Sequence, residues 1–380
     1  MLLRAICVLV LSGILVAGLW PFHAPKNQVS WISGEKGLLF GKYGSIASAG
    51  EFKGHLSQAD SSCSLEIRLQ PKRVRSSGTI LAFYRQKNQV VPFALRQSWS
   101  DLVLQHPSPD PRRHAGRAKV YVDELFNQGK PVLVTISSNQ AGTTIYVDGV
   151  FVKKAATFRL SSQDLTGLLI IGNSPVTTDD WSGQLRGLAI YDRDLTPAEV
   201  SRHYEGWTGS DTTNLAADER AAALYVFDEK GGNIARNIVD SSTDLVIPER
   251  FFLLHGKFLE RPWNEFRQDW NYWKDIAVNV GGFIPLGLSF CAIYSQSKNV
   301  EHPAAVTIVF GFVVSLTIEV LQAFLPTRNS GMTDLFTNTL GTAVGVVFYR
   351  SDSVQAILAR EFFASRRLDS SICKKVAPAN

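Results

Sequence analysis

Cysteine and runs of like charge are both scarce in this chain, and each scarcity excludes something. Four cysteines stand among 380 residues. Cys7 and Cys291 lie in apolar segments, Cys63 in the middle of the chain and Cys373 in the tail. Only Cys63 would meet an oxidising compartment, so no disulfide framework is expected. No Cys/His group has the spacing of a zinc site. A net charge of +5 without any Lys/Arg block excludes nucleic acid as a partner. No segment alternates Glu and Asp as a strand bearing two catalytic carboxylates would. Asp179 and Asp180 are adjacent and would point to opposite faces of a strand.

What is present is strongly segregated. The mean hydropathy of +0.01 averages apolar runs at the start and in the last third with a mixed, turn-rich middle. A bilayer core takes roughly 20 apolar residues as a helix. Four segments are candidates: 5–20, 276–294, 304–325 and the shorter 335–349. The last three follow one another with such short connections that membrane spans suit them better than a buried helical core. The first resembles a signal peptide in length, and Val16-Ala17-Gly18 is a passable cleavage site. Trp20 and Phe22, placed as interfacial anchors are, favour an uncleaved first helix.

Basic residues set the expected orientation. Arg4, Lys298, Arg350, Arg360, Arg366, Arg367, Lys374 and Lys375 all fall on one side if there are four crossings. That side is the cytoplasm. Residues 23–274 and the short turn 326–333 are then outside. In the tail, Val354, Ile357, Leu358 and Phe362 share one helical face. This suits either a helix on the inner membrane surface or a solvated basic tail.

Between about residues 37 and 248 the pattern becomes short period-2 runs with frequent turn residues. Strands are expected at 63–69, 79–84, 132–137, 143–147, 149–153 and 168–172, with Asp148-Gly149 as a type I′ hairpin turn. Strands at this spacing make a β-sandwich or jelly roll. Ile145-Tyr146-Val147-Asp148-Gly149 resembles the hairpin of laminin-G-like, concanavalin A-like jelly rolls. Leu169-Ile170-Ile171-Gly172-Asn173 resembles their next strand, and Trp181-Ser182-Gly183 leads to Gly187-Leu188-Ala189-Ile190-Tyr191-Asp192. Leu195-Thr196-Pro197-Ala198-Glu199-Val200 is similar to their late short helix, and Leu224-Tyr225-Val226-Phe227-Asp228 to a returning strand. The resemblance implies a glycan- or protein-binding module, sometimes using calcium; no other cofactor is implied. Trp99, Trp181 and Trp207 are candidates either for stacking on sugars or for packing, and Asp148 reads as a turn former.

Polar residues recur at helical spacing within the last three apolar runs. Asp275, Asn279 and Gly282 share one face, as do Ser315, Glu319 and Gln322, and Asp334, Asn338, Gly341 and Gly345. Alternating threading would gather all three sets in the outer half of the membrane. Glu319 precedes Leu325 by six residues, roughly 9 Å along a helix. A carboxylate there needs a partner, a proton or water. Gly341 and Gly345 permit close helix contact, and Gly281, Gly282 and Pro285 suggest the same, with a bend, for the second span. Asp275, Asn279, Glu319, Gln322, Arg328, Asp334 and Asn338 are the candidate site. A polar clasp between helices and a ligand pocket both fit it.

The segments Asp275 to Gly287, Glu319 to Arg328 and Asp334 to Gly341 resemble, in order and spacing, the motifs of the VanZ-like family. Its members usually have a short loop where this chain carries the jelly roll. The resemblance implies a bacterial envelope setting; the founding member is associated with glycopeptide-antibiotic resistance, without an established reaction. The expected fold is therefore a mixed membrane protein, four transmembrane α-helices plus an extracytoplasmic all-β jelly-roll sandwich. Its parts are a first helix at 1–22, a jelly roll at 28–250, helices at 273–350 and a basic cytoplasmic tail at 351–380. The expected place is the bacterial cytoplasmic (inner) membrane, with membrane lipid and an envelope or lipid-linked glycan as partners. A membrane enzyme acting on a lipid-linked phosphate, with Arg328 on the phosphate, and a non-catalytic scaffold are the alternatives.

Overall fold

The computed structural model describes residues 2–53, 62–107, 117–209, 215, 221–254, 258–266, 270–328 and 330–352. The amphipathic face and the basic residues read into the tail beyond 352 lie outside the described residues, as does Cys373. The chain divides into two units, Ala24–Gly256 and Met1–His23 with Lys257–Asn380.

Period-2 patterning organises the first unit into two eight-stranded antiparallel sheets. The first runs β1 (Val29–Trp31), β2 (Leu38–Phe40), β13 (Gly183–Tyr191), β4 (Cys63–Pro71), β9 (Val132–Asn139), β10 (Gly142–Val147) and β11 (Val150–Ala155), with β14 (Ala221–Tyr225) also pairing on β13. The second runs β15 (Ile234–Ala235), β16 (Leu245–Val246), β3 (Ile46–Ser48), β12 (Leu168–Ile171), β5 (Ser76–Arg85), β6 (Val90–Trp99), β7 (Asp101–Pro107) and β8 (Arg117–Val122). All six strands expected from the sequence are present. Asp148 and Gly149 both take positive φ, 49° and 79°, and Val147 pairs with Val150. This is the two-residue I′ geometry, which Asp-Gly tolerates and most residues do not.

Strand β4 shows how the alternation is used. Cys63, Leu65, Ile67 and Leu69 point into the core between the sheets, beside Phe83, Phe93, Ile136 and Trp181. Burial pushes the Cys63 thiol pKa up, so this thiol is inert packing. The other face of β4 carries Ser64, Glu66, Arg68 and Gln70. That face is covered by α2 (Pro197–Thr208), whose Val200 and Trp207 pack with Leu133, Ala189 and Tyr191. Thr196 and Glu199 start α2 as a reciprocal capping box, with Pro197 in the first turn.

In the second unit the long helices are α1 (Leu2–Leu19), α4 (Trp270–Ser295), α5 (Pro303–Gln322) and α6 (Met332–Arg350), with a single turn, α3 (Pro262–Glu265), before α4. Helices α1, α4 and α5 are long and apolar enough to cross a membrane. The fourth expected span, α6, is a 19-residue helix that carries Asp334, Asn338 and four threonines. Small residues set the packing of α4 on α6. A Cβ at Gly341 would strike the Val280 carbonyl, and one at Gly345 the Ile284 carbonyl. The expected role of Gly281 and Gly282 is not realised: both face open space, and Gly287 makes the close approach of α4, against Thr342. Helix α4 continues through Pro285.

Candidate functional site

The helical unit buries polar residues and exposes apolar ones. Ser315, Glu319, Ser330 and Thr342 are at most 1% exposed, whereas Val8, Leu9, Val278, Val309 and Val347 are more than 60% exposed. Helical spacing puts Ser315, Glu319 and Gln322 on the inward face of α5. Glu319 Oε2 accepts the Gly331 N–H at 2.8 Å, at the start of α6. A carboxylate is favoured at a helix N-terminus, where N–H groups lack helical acceptors. One turn deeper, Asn338 Nδ2 donates to Ser315 Oγ at 3.0 Å. Asn279 Nδ2 on α4 donates to Asp334 Oδ1 on α6 at 2.8 Å.

The same cluster holds the end of α1. Gln322 Nε2 donates to the Gly18 carbonyl at 2.8 Å, and Arg328 Nε to the Trp20 carbonyl at 3.2 Å. These carbonyls end α1 and have no helical donor. Arg328 is thereby placed against α1. Six of the seven expected site residues thus tie helices together. Asp275 is the exception, exposed one turn before Asn279 and without a hydrogen bond to any described residue. Two amides remain half-used: Gln322 Oε1 and Asn338 Oδ1 are buried without a partner. The cluster therefore clasps the helices and still offers two buried acceptors to a donor.

In the β unit the structure sorts the tryptophans. Trp181 is 1% exposed and donates to Gln97 Oε1 at 2.9 Å; Trp207 is 3% exposed; Trp99, at 64%, is the exposed one. Asp148 Oδ1 accepts the Leu133 N–H at 2.8 Å, in keeping with a turn former. Asp179 is paired with Arg96 at 2.9 Å. Among the described residues no three His, Cys, Asp or Glu side chains gather as a metal site would require.

Sequence reasoning passed over one constellation. Glu66 is fully buried on the α2-facing side of β4. Its carboxylate accepts Trp207 Nε1 at 2.9 Å, Tyr191 OH at 3.2 Å and Thr135 Oγ1 at 3.3 Å, and His203 Nδ1 lies 3.2 Å away. Next along the row, Arg68 Nη1 donates to the Trp207 carbonyl. The available signal was the polar row of β4 itself, Ser64-x-Glu66-x-Arg68-x-Gln70.

Two family models match this chain. Residues 230–357 match VanZ/LLP1, and residues 42–201 match the concanavalin A-like lectin/glucanases superfamily. The chain joins a VanZ-like domain to a concanavalin A-like one. The VanZ-like match begins at 230, inside the β unit, and ends past α6. The concanavalin A-like match contains Glu66, Thr135 and Tyr191 of the Glu66 cluster and ends before His203 and Trp207. No curated protein matches the chain. Among solved structures, the binding domain of botulinum neurotoxin DC in complex with rat synaptotagmin II is 13% identical, with a TM-score of 0.35, over 49% of this chain and 46% of that one. The binding domain of Paraclostridial Mosquitocidal Protein 1 is 15% identical, with a TM-score of 0.35, over 48% and 47%. A Bacteroides ovatus protein thought to bind carbohydrate is 13% identical, with a TM-score of 0.37, over 59% and 58%. The chain spans about half the length of these chains. None of the three carries weight for what this chain binds.

Proposed function

We propose that this chain is a multi-pass protein of the bacterial cytoplasmic membrane that presents a glycan-binding jelly roll outside the cytoplasm. One observation carries the membrane part: the helical unit exposes large apolar side chains such as Val8, Leu9 and Val309 while it buries the Glu319 carboxylate. Water would penalise that exterior and lipid would not. Helix α6, packed through Gly341 and Gly345 on α4, is the fourth crossing. Its neighbours compensate for its polar residues by hydrogen bonds. The excess of Lys and Arg around Arg4, Lys298 and Arg350 supports cytoplasmic ends.

The superfamily of the β unit includes both lectins and glucanases, so the choice of glycan recognition over catalysis is made on the residues and not on the fold. Its buried carboxylate, Glu66, is held by Trp207, His203 and Tyr191, and no hydrogen bond or ion pair joins it to a second carboxylate among the described residues. An envelope polysaccharide is the ligand class this reading favours, and the VanZ-like resemblance is the sole support for including a tie to glycopeptide-antibiotic response in it. The reading in which Arg328 grips a lipid-linked phosphate is less favoured, since its N–H groups hold α1.

The test is binding of the full chain, reconstituted in phosphatidylcholine nanodiscs, to purified envelope polysaccharides with and without calcium. Saturable binding supports the reading. Absence of binding to every polysaccharide in both conditions would leave the scaffold alternative.

A further inference from the structure

Arg68 is a half-buried cation that forms no ion pair with any described residue; Asp148, in the wall of the same cavity, attracts it from beyond ion-pair distance. It stands two residues after Glu66 on the same face of β4, but Glu66 is occupied by Trp207, His203 and Tyr191. No carboxylate among the described residues lies within ion-pair distance of Arg68. Its neighbour Arg186 is already matched by Glu35 at 2.7 Å. Burial, reinforced by Arg186 and offset only in part by Tyr204 and Asp148, pulls the Arg68 pKa down from the usual guanidinium range. A desolvated positive charge left in this way is stabilised by an arriving anion.

The space for one is present. Arg68 opens on a cavity of about 300 Å³ whose wall also includes Lys130, Asp148, Tyr204 and Thr208. Small-molecule sites begin at about this size, which suits one sugar ring with its substituent. Lys130 is exposed at the mouth and also lacks a carboxylate partner among the described residues. Asp148 has Oδ1 committed to the Leu133 N–H, which leaves Oδ2 to accept a hydroxyl. Tyr204 adds an aromatic surface, braced by the Asp148-Gly149 turn, since Gly149 lies directly against its Cβ. Arg68 and Lys130 outnumber the single Asp148 carboxylate in this wall, and with the Tyr204 ring they complement a hydroxylated ligand that bears an acid.

The geometry points to this cavity as a binding site for an acidic sugar unit, its carboxylate or phosphate taken by Arg68 and Lys130. This rests on the reading of the β unit as a glycan binder. It adds the subsite, between β4, the β10–β11 turn and α2, and the charge of the ligand.

Calorimetry on the full chain in phosphatidylcholine nanodiscs tests it with three probes: a glucuronate-containing hyaluronan tetrasaccharide, glucose 6-phosphate and neutral cellotetraose. At least one acidic probe is expected to bind at least tenfold more tightly than cellotetraose, and raised salt weakens that binding. Which of them binds tells carboxylate from phosphate. Arg68→Gln weakens the acidic probe by about tenfold or more, as loss of a charged hydrogen bond does. Because Arg68 also braces Trp207, Lys130→Glu at the exposed mouth serves as the second variant and weakens it severalfold. Equal affinity for cellotetraose, or unchanged acidic binding in both variants, overturns the subsite. If envelope polysaccharides still bind in that case, the glycan reading survives without it; if nothing binds, both fall.

Discussion

Glu66 and Arg68 project from the same face of β4, two residues apart, and no ion pair joins them. The carboxylate is held instead by Trp207 Nε1 at 2.9 Å and Tyr191 OH at 3.2 Å, beside His203. This arrangement fastens α2 to the sheet and leaves the guanidinium, which donates to the Trp207 carbonyl, without an ion pair among the described residues.

Removing that carboxylate should loosen α2. Glu66→Ala leaves the buried Trp207 Nε1 without its acceptor, at about 1–3 kcal/mol, and takes one partner each from Tyr191 and His203. We expect a loss of about 2–4 kcal/mol in the β unit, read as a lower denaturant midpoint by tryptophan fluorescence. Glu66→Gln, which keeps one acceptor, should lose less. Equal stability of Glu66→Ala and the unaltered chain would contradict the fastening role.

The capping box of α2 makes a pH-dependent contribution. Burial alone would raise the Glu199 pKa; hydrogen bonds from Thr196 and pairing with Arg193 outweigh it and hold the carboxyl at about 2. A carboxyl depressed on folding stabilises above its unfolded value, about 4.3, and that contribution is lost as pH falls toward 2. Glu199→Gln should therefore melt below the unaltered chain at pH 6, and the gap should close between about pH 4.5 and 2. A gap that persists unchanged at low pH would contradict this.

Close packing of α4 on α6 predicts a sharp contrast between glycines. Gly341→Ala or Gly345→Ala drives a methyl group into a backbone carbonyl of α4 and should cost about 1–3 kcal/mol. Gly281→Ala points into open space and should be neutral or slightly stabilising. Thermal melting in detergent, followed by size-exclusion fluorescence, separates the two cases. Equal melting of all three would place the α4–α6 contact elsewhere.

Local patterns were the legible ones. Strand β4 alternates and Asp148-Gly149 is a turn pair; each is decided within a few residues, as is the Thr196-x-x-Glu199 capping box, which sequence reasoning took only as part of a short helix by resemblance. The helical spacing of Ser315, Glu319 and Gln322 likewise placed all three on one buried face. Partners set by the tertiary fold were not legible. The groups around Glu66 lie 125, 137 and 141 residues further on, so nothing beside Glu66 announces them. A row of alternating acids would have marked it, but its neighbour on that face, Arg68, is basic. Asp275 shares the period of Asn279 but is exposed, and Arg328 finds the end of α1 more than 300 residues back in the chain. Spacing along one helix shows which residues share a face and leaves open what that face meets.

The proposed threading is tested most directly by two single cysteines in a chain whose own cysteines are replaced by alanine. Val150→Cys sits on an exposed position of β11, and Lys298→Cys between α4 and α5. A membrane-impermeant maleimide should label Val150→Cys on intact spheroplasts and Lys298→Cys only after permeabilisation. The reverse pattern, or both positions labelled from the same side, would contradict the account.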